Sequence, residues 1–392
     1  MNILFVAYAI SDRGKPKNGV STYLYRISRT LVGMGHKAII LACGKKDENW
    51  IDNGVEVIRI KDDGLNYSDQ IIDYFISSFR KSYRLNKAIK KLEARMKIDI
   101  IQFASLQGAS LLYYGKIPAV MRLSAYARPD LLSYDVYPVK YAKVRSWVER
   151  CASRRCNAVF APSNVIADAY GHDVKRKVYV IESPFVDEVE PYDESYADTI
   201  LNNKKYALFF GNLSTMNGIK VIAKCLERFL EKNKDYYFIF VGEVTMVDGE
   251  NAARFLKRCV VSHADRLIIL PALLHTQLYP IIMKADFVVS PSIMDNFPNA
   301  CIEAMHFGKV VIGTDGSSFE QLIRHRVSGL LCRIGDPDDL LNKMQMAVDL
   351  DERQKEQIGI NAKKRIEQLR PEVVGKKLLS FYQYVIDAVK KD

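Results

Sequence analysis

The chain has 392 residues, 48% of them hydrophobic and 26% charged, with a formal net charge of +11. That length predicts two or three domains, each large enough for its own core, and the composition is ordinary for a soluble globular chain. No apolar run reaches the ~18–20 residues that span a bilayer, and seven scattered cysteines without a CxxC pair support neither a disulfide framework nor a zinc site.

The opening MNILFVAYAI carries about seven apolar residues and no basic stretch before them, so it reads as a first β-strand and not as a signal peptide. Further short apolar, β-branched runs follow at 37–43, 55–60, 99–104, 119–123, 158–163 and 178–181. A second series occupies 206–211, 236–242, 266–271, 287–292, 309–314 and 329–332. Longer helical patterns separate them. Continuous apolar runs alternating with helices predict parallel sheets buried on both faces. There are too many strands for one sheet, and the alternation breaks in the acidic stretch 187–199, which reads as a linker. The expected fold class is therefore α/β, with two doubly wound parallel-sheet domains at 1–190 and 191–370 facing one another across a cleft. Such sheets bind ligands at the carboxyl ends of their strands. The last segment, 371–392, has helical spacing in Val374, Leu378, Phe381, Tyr382, Val385 and Ile386. It is free to pack back on the first domain, although its periodicity does not decide where it docks.

The positive charge is uneven. Residues 1–190 hold 30 Lys and Arg against 20 Asp and Glu, whereas residues 191–392 hold 27 against 26. An anionic partner for the first half follows, either a membrane surface or an acidic polymer. Two basic helical stretches lie there. Residues 77–97 contain eight Lys and Arg with Phe79, Tyr83, Ile89, Leu92 and Met96 interleaved, and 137–155 contain six with Tyr141, Val144, Trp147 and Val148. A basic amphipathic helix can lie on an anionic leaflet. The alternative is a surface helix whose apolar stripe faces the sheet. Nucleic-acid binding would also use the charge, but no nucleic-acid fold motif is present.

Two carboxylates, Asp295 and Glu303, stand eight residues apart in PSIMDNFPNACIEAMHFGKVVIGTDG, residues 291–316. The segment reads as loop, helix, strand: Pro298 marks the helix start, Glu303 lies about one turn inside, and Gly308 ends it. Free backbone amides at that helix start, flanked by two acids, suit a ligand bearing both phosphate and sugar hydroxyls. The plainer alternative is two acids near a helix N-terminus that stabilise it by roughly 0.3–1 kcal/mol without any ligand.

The surrounding residues resemble the signature region of the retaining glycosyltransferases of family 4, whose pattern is roughly P-S-x-x-E-G-F-P-N-x-x-x-E-A-M-x-x-G. The chain matches at Pro291, Ser292, Phe297, Pro298, Asn299, Glu303, Ala304, Met305 and Gly308, and places Asp295 where the first Glu usually stands. The resemblance extends through ADFVVSPS (285–292), GTDGSSFEQLI (313–323) and VSGLLCRIGDPDDL (327–340). FFGNLSTMNGIKVI (209–222) is similar to the family's G-R-L-x-x-x-K-G turn, and NGVSTYLYRISRTLVGMGHKAIIL (18–41) to its glycine loop, helix and following strand.

The resemblance implies a GT-B fold and sugar transfer with retention, from a nucleotide-diphosphate sugar to a glycan or lipid-linked glycan in cell-surface polysaccharide or glycoconjugate synthesis. It implies an acceptor-binding first domain and a donor-binding second domain. Asp295 and Glu303 would be the catalytic pair, Asp295 facing the donor sugar and Glu303 the ribose hydroxyls. Gly19, Asn212, Asn217, Lys220, Phe297, Pro298 and Asn299 would complete the donor site, and Asn18, Arg122 and Ser124 the acceptor site. No metal or other cofactor is expected. The expected location is cytoplasmic, with peripheral contact at the inner face of the membrane through the two basic helices. Three departures stand out. Asn212 and Asn217 replace the Arg and Lys that usually meet the diphosphate, with Lys220 as a candidate substitute. Ser124 replaces a frequent active-site His. The six histidines (His36, His172, His263, His275, His306, His325) read as surface or packing residues. The asparagines motivate an alternative, a nucleotide-sugar-binding protein that has lost catalysis and serves as an assembly partner.

Overall fold

The computed structural model describes residues 1–11, 19–62, 71–123, 139–187, 191–201 and 204–391. These divide into one unit of Met1–Val186 with Leu369–Asp392 and another of Asp187–Gln368.

The first unit runs β1 (Asn2–Ala7), α1 (Gly19–Gly33), β2 (Lys37–Gly44), β3 (Glu48–Asp52), β4 (Val55–Lys61), α2 (Ile71–Glu93), β5 (Ile100–Ala104), β6 (Ala119–Arg122), α3 (Val139–Ser153), β7 (Ala158–Ala161), α4 (Asn164–Val174) and β8 (Val178–Val180). Its sheet has the order β3-β4-β2-β1-β5-β6-β7-β8. The inner strands β1, β5, β6 and β7 are buried on both faces, which is why their sequences are unbroken apolar runs. All neighbours are parallel except β3 with β4. That antiparallel edge strand departs from the expected all-parallel sheet. Its sequence, ENWID, buries Trp50 alone, so it carries no apolar run. The hairpin closes through Asn53 and Gly54, both at positive φ (48° and 79°), as a tight two-residue turn requires.

The second unit runs α5 (Glu194–Leu201), β9 (Lys205–Phe210), α6 (Ile219–Lys232), β10 (Tyr236–Val241), β11 (Met246–Val247), β12 (Glu250–Asn251), α7 (Ala252–Cys259), β13 (Leu267–Leu270), α8 (His275–Lys284), β14 (Phe287–Val289), α9 (Asn299–His306), β15 (Val310–Asp315), β16 (Leu330–Arg333), α10 (Pro337–Asp349) and α11 (Glu352–Glu367). Its main sheet is wholly parallel, in the order β13-β10-β9-β14-β15-β16. The strand order reverses between β9 and β14, and the loops leaving those two strands therefore part to either side. The stretch 187–199, expected as a linker, is in part the helix α5. It packs on α8 and buries Ala197 and Leu201, two apolar residues too few to announce a helix among acids.

The last helix, α12 (Pro371–Lys391), belongs to the first unit. Val374, Leu378, Phe381, Tyr382, Val385 and Ile386 form its buried face and share a core with α1, β1 and β2. The Tyr382 hydroxyl donates to Gln102 Oε1 of β5 at 2.5 Å.

Candidate functional site

At the reversal point of the second unit the chain comes unusually close to itself. Gly218 (φ 84°) sits against the strand-end segment after β14, where a Cβ would lie 2.1 Å from the Pro291 carbonyl oxygen. Gly242, after β10, has φ 154°, and a Cβ there would lie 1.9 Å from the Gly211 carbonyl oxygen. Only glycine fits either place. The Ile293 amide donates to the Met216 carbonyl at 2.8 Å, and the Leu213 amide to the Glu243 carbonyl at 2.8 Å. These contacts lock the turn after β9 against the turns after β10 and β14.

Two helices begin at this edge, α6 after Gly218 and α9 after Pro298, and neither cap residue makes a side-chain hydrogen bond to the helix start. Their dipoles favour an anion, although in α6 the Ile219 and Val221 amides donate to the Ser214 and Gly218 carbonyls. Asp295 precedes α9 and accepts a hydrogen bond from the Phe297 amide at 3.1 Å. Burial raises its carboxyl from 3.8 to about 6, against the pull of the Phe297 and Asn296 amides. Its own carbonyl accepts from Ser318 Oγ at 2.9 Å, which ties the loop after β15 to the same edge. Glu303 projects one turn inside α9 and is 6% exposed. Its Oε1 lies 3.7 Å from His275 Nε2 at the start of α8.

The turn after β9 shows what the two asparagines do. Asn217 Nδ2 donates to the Asn212 carbonyl at 2.8 Å and the Asn217 amide to Ser214 Oγ at 3.3 Å, so this side chain closes its own turn. Asn212 is exposed. Lys220, the expected substitute cation, ion-pairs with Asp248. The pairing is invisible in sequence because Asp248 belongs to the β11–β12 hairpin. The structure thus brings Asn212, Asn217, Asp295, Phe297, Pro298, Asn299 and Glu303 to one edge of one sheet. His275 is the residue that sequence reasoning passed over. His306 is a packing residue: its Nε2 meets Asp187 Oδ2 at 3.0 Å, and Asp187 also accepts from Tyr192.

Gly19 and Arg122 belong to the first unit, and Asn18 and Ser124 lie outside the described residues. Gly19 opens α1 at an exposed point where a Cβ would meet nothing. Arg122 ends β6, buried, with its guanidinium 3.7 Å from the centre of the Tyr23 ring. Among the described residues, no group of three or more His, Cys, Asp or Glu side chains is placed to share a metal ion. No helix of the described residues is long and apolar enough to cross a membrane.

The family model for Glycosyltransferase Family 4 matches residues 17–188, and that for Glycosyl transferases group 1 matches residues 194–365. The chain is a glycosyltransferase of GT-B fold, its first half matching the one family and its second half the other. Among solved structures it is similar to sucrose-phosphate synthase from Thermosynechococcus elongatus, with 17% identity, 99% of this chain and 100% of that one covered, and a TM-score of 0.77. Anabaena HepE in complex with UDP gives 17% identity, 98% and 100% coverage, and a TM-score of 0.71. A glycosyltransferase from Rickettsia africae gives 16% identity, 98% coverage of each chain and a TM-score of 0.70. The chain has no significant match among curated protein sequences.

Proposed function

We propose that this glycosyltransferase moves a sugar, with retention, from a nucleotide-diphosphate sugar held by the second unit to a glycan or lipid-linked glycan held by the first. One observation carries the donor assignment. Two helix starts without side-chain caps and two carboxylates, one of them almost fully buried, meet at the strand reversal of a doubly wound sheet. Anabaena HepE, of the same fold, is solved with UDP and with UDP and glucose.

In this reading Glu303 accepts from the ribose hydroxyls, and the α9 start with the dipoles of α6 and α9 stabilises the diphosphate as it departs. The bond from the anomeric carbon to the diphosphate oxygen breaks, and its electron pair leaves on the phosphate. The acceptor hydroxyl oxygen bonds to the same face of that carbon, and its proton passes to the departing phosphate oxygen. Asp295, at the mouth of α9, faces the sugar ring while positive charge develops there. Amides and helix dipoles take a larger share of phosphate stabilisation, since Asn217 closes its turn and Lys220 also faces Asp248.

The acceptor side adds a membrane-facing surface. The C-terminal half of α2 buries Leu85 and Ile89 on the sheet, yet its first half exposes Ile72 (69%), Phe75 (37%) and Ile76 (50%). Phe75 stacks on Trp147 of α3 with ring centres 5.7 Å apart. Together with Lys143 and Val144 they line an apolar groove of about 450 Å³. Apolar rings within a unit carrying the chain's excess of Lys and Arg suit an anionic bilayer. Calorimetry with a panel of nucleoside diphosphates, then turnover of the matching NDP-sugars, tests the enzyme reading. Binding of one nucleotide with release of its sugar is expected, and failure of every nucleotide to bind would overturn it.

A further inference from the structure

Among the described residues of the first unit, one buried cation has no carboxylate beside it. Among those residues two arginines are almost fully inaccessible, Arg59 and Arg122. Arg59 is neutralised by Glu48, with Nη1 2.8 Å from Oε2. Arg122, 6% exposed, has no carboxylate beside it among the described residues. Its Nη2 donates to Ser183 Oγ at 2.8 Å, its plane lies over Tyr23, and its Nε is buried without an acceptor. The other groups acting on its charge are the phenols of Tyr23 and Tyr382, both of which burial keeps protonated. A buried charge of this kind is costly unless something of opposite sign relieves it.

Its position says what would do so. Arg122 is the last residue of β6, at the carboxyl edge of the sheet, where doubly wound domains take ligands. Tyr23, which it stacks on, lies just inside α1, a helix of 15 residues with no acid in its first turn. An oxyanion at this edge would meet a planar donor fork whose ring contact holds it in place, near the positive end of a helix dipole. We propose that Arg122 binds a phosphate group on the acceptor, so that the acceptor is a phosphorylated sugar or a lipid phosphate and not a neutral glycan. The proposal rests on the assignment of the acceptor to the first unit.

The test fills the donor site first, with whichever nucleoside diphosphate binds the protein. Inorganic phosphate, a hexose 6-phosphate, a short-chain phosphatidic acid and acetate are then titrated at constant ionic strength. Wild type should bind phosphate more tightly than acetate, and Arg122→Gln should lose about tenfold or more of that affinity while nucleotide binding is unchanged. A further gain with the hexose phosphate assigns a soluble acceptor, and a gain with the phosphatidic acid assigns a lipid one. Should Arg122→Gln fail to fold, Arg122→Lys retains the charge without the fork, and a severalfold loss is expected. Phosphate affinity equal in wild type and variant, or a preference for acetate, would overturn the inference. With nucleotide binding intact, that result would leave the donor site standing; loss of nucleotide binding in wild type would instead remove the reading beneath it.

Discussion

Replacing Glu303 with glutamine keeps the side chain's size and removes its charge. The residue is 6% exposed, so water cannot take over the lost hydrogen bonds. A hydrogen bond to a charged group contributes about 1.5–3 kcal/mol and a neutral one about 0.5–1.5 kcal/mol. Two ribose hydroxyls donating to this carboxylate should each lose about 1 kcal/mol, or about 2 kcal/mol in total, a fall of ~30-fold in nucleotide affinity. Calorimetry with the ribonucleotide and its 2′-deoxy analogue separates this contact from general damage to α9. Wild type should prefer the ribonucleotide, and Glu303→Gln should lose most of that preference. Affinity within twofold of wild type, or an equal loss for both nucleotides, would refute a ribose contact.

Asp295→Asn should reduce turnover far more than nucleotide affinity, because Asp295 is assigned to the sugar and not to the nucleotide; the opposite split in kcat and Kd would misplace it. Glu149 of α3 is 1% exposed, and burial raises its carboxyl from 4.5 to about 7 against the pull of Arg145. Between those values the folded chain holds a proton that the unfolded chain has released, so stability falls as pH rises from about 4.5 to about 7. Glu149→Gln should therefore melt higher than wild type at pH 8 by up to ~3 kcal/mol and equally at pH 4, and a gain that does not change with pH would contradict the assignment. The pair Phe75→Ser and Trp147→Ser should weaken sedimentation with anionic vesicles by ~30-fold, from about 2 kcal/mol of lost apolar burial, and no wild-type binding at low salt would remove the membrane surface.

Much of this architecture is legible in the residues because parallel strands buried on both faces must be continuous apolar runs. Elements that bury little were not legible that way. β3 contributes only Trp50 to the core, although Asn53-Gly54 is a hairpin signal, and α5 hides two apolar residues in an acidic stretch. In the site, Asp295 and Glu303 are readable because loop, helix start and helix turn are local. The pairing of Lys220 with Asp248 and the approach of His275 to Glu303 are not, because each joins side chains 28 residues apart in sequence through the packing of separate loops. Arg122 is readable as a candidate, but the lack of a carboxylate beside it among the described residues emerges only once β6, α1 and α12 are packed.

Retaining transfer from a nucleotide-diphosphate sugar has a direct stereochemical readout. Proton NMR on the first turnovers, with an α-linked NDP-sugar that binds and water or a sugar phosphate as acceptor, reads the anomeric configuration before mutarotation. Under retaining transfer the α configuration forms first. Initial formation of the β anomer, or no release from any NDP-sugar whose nucleotide binds, would contradict it.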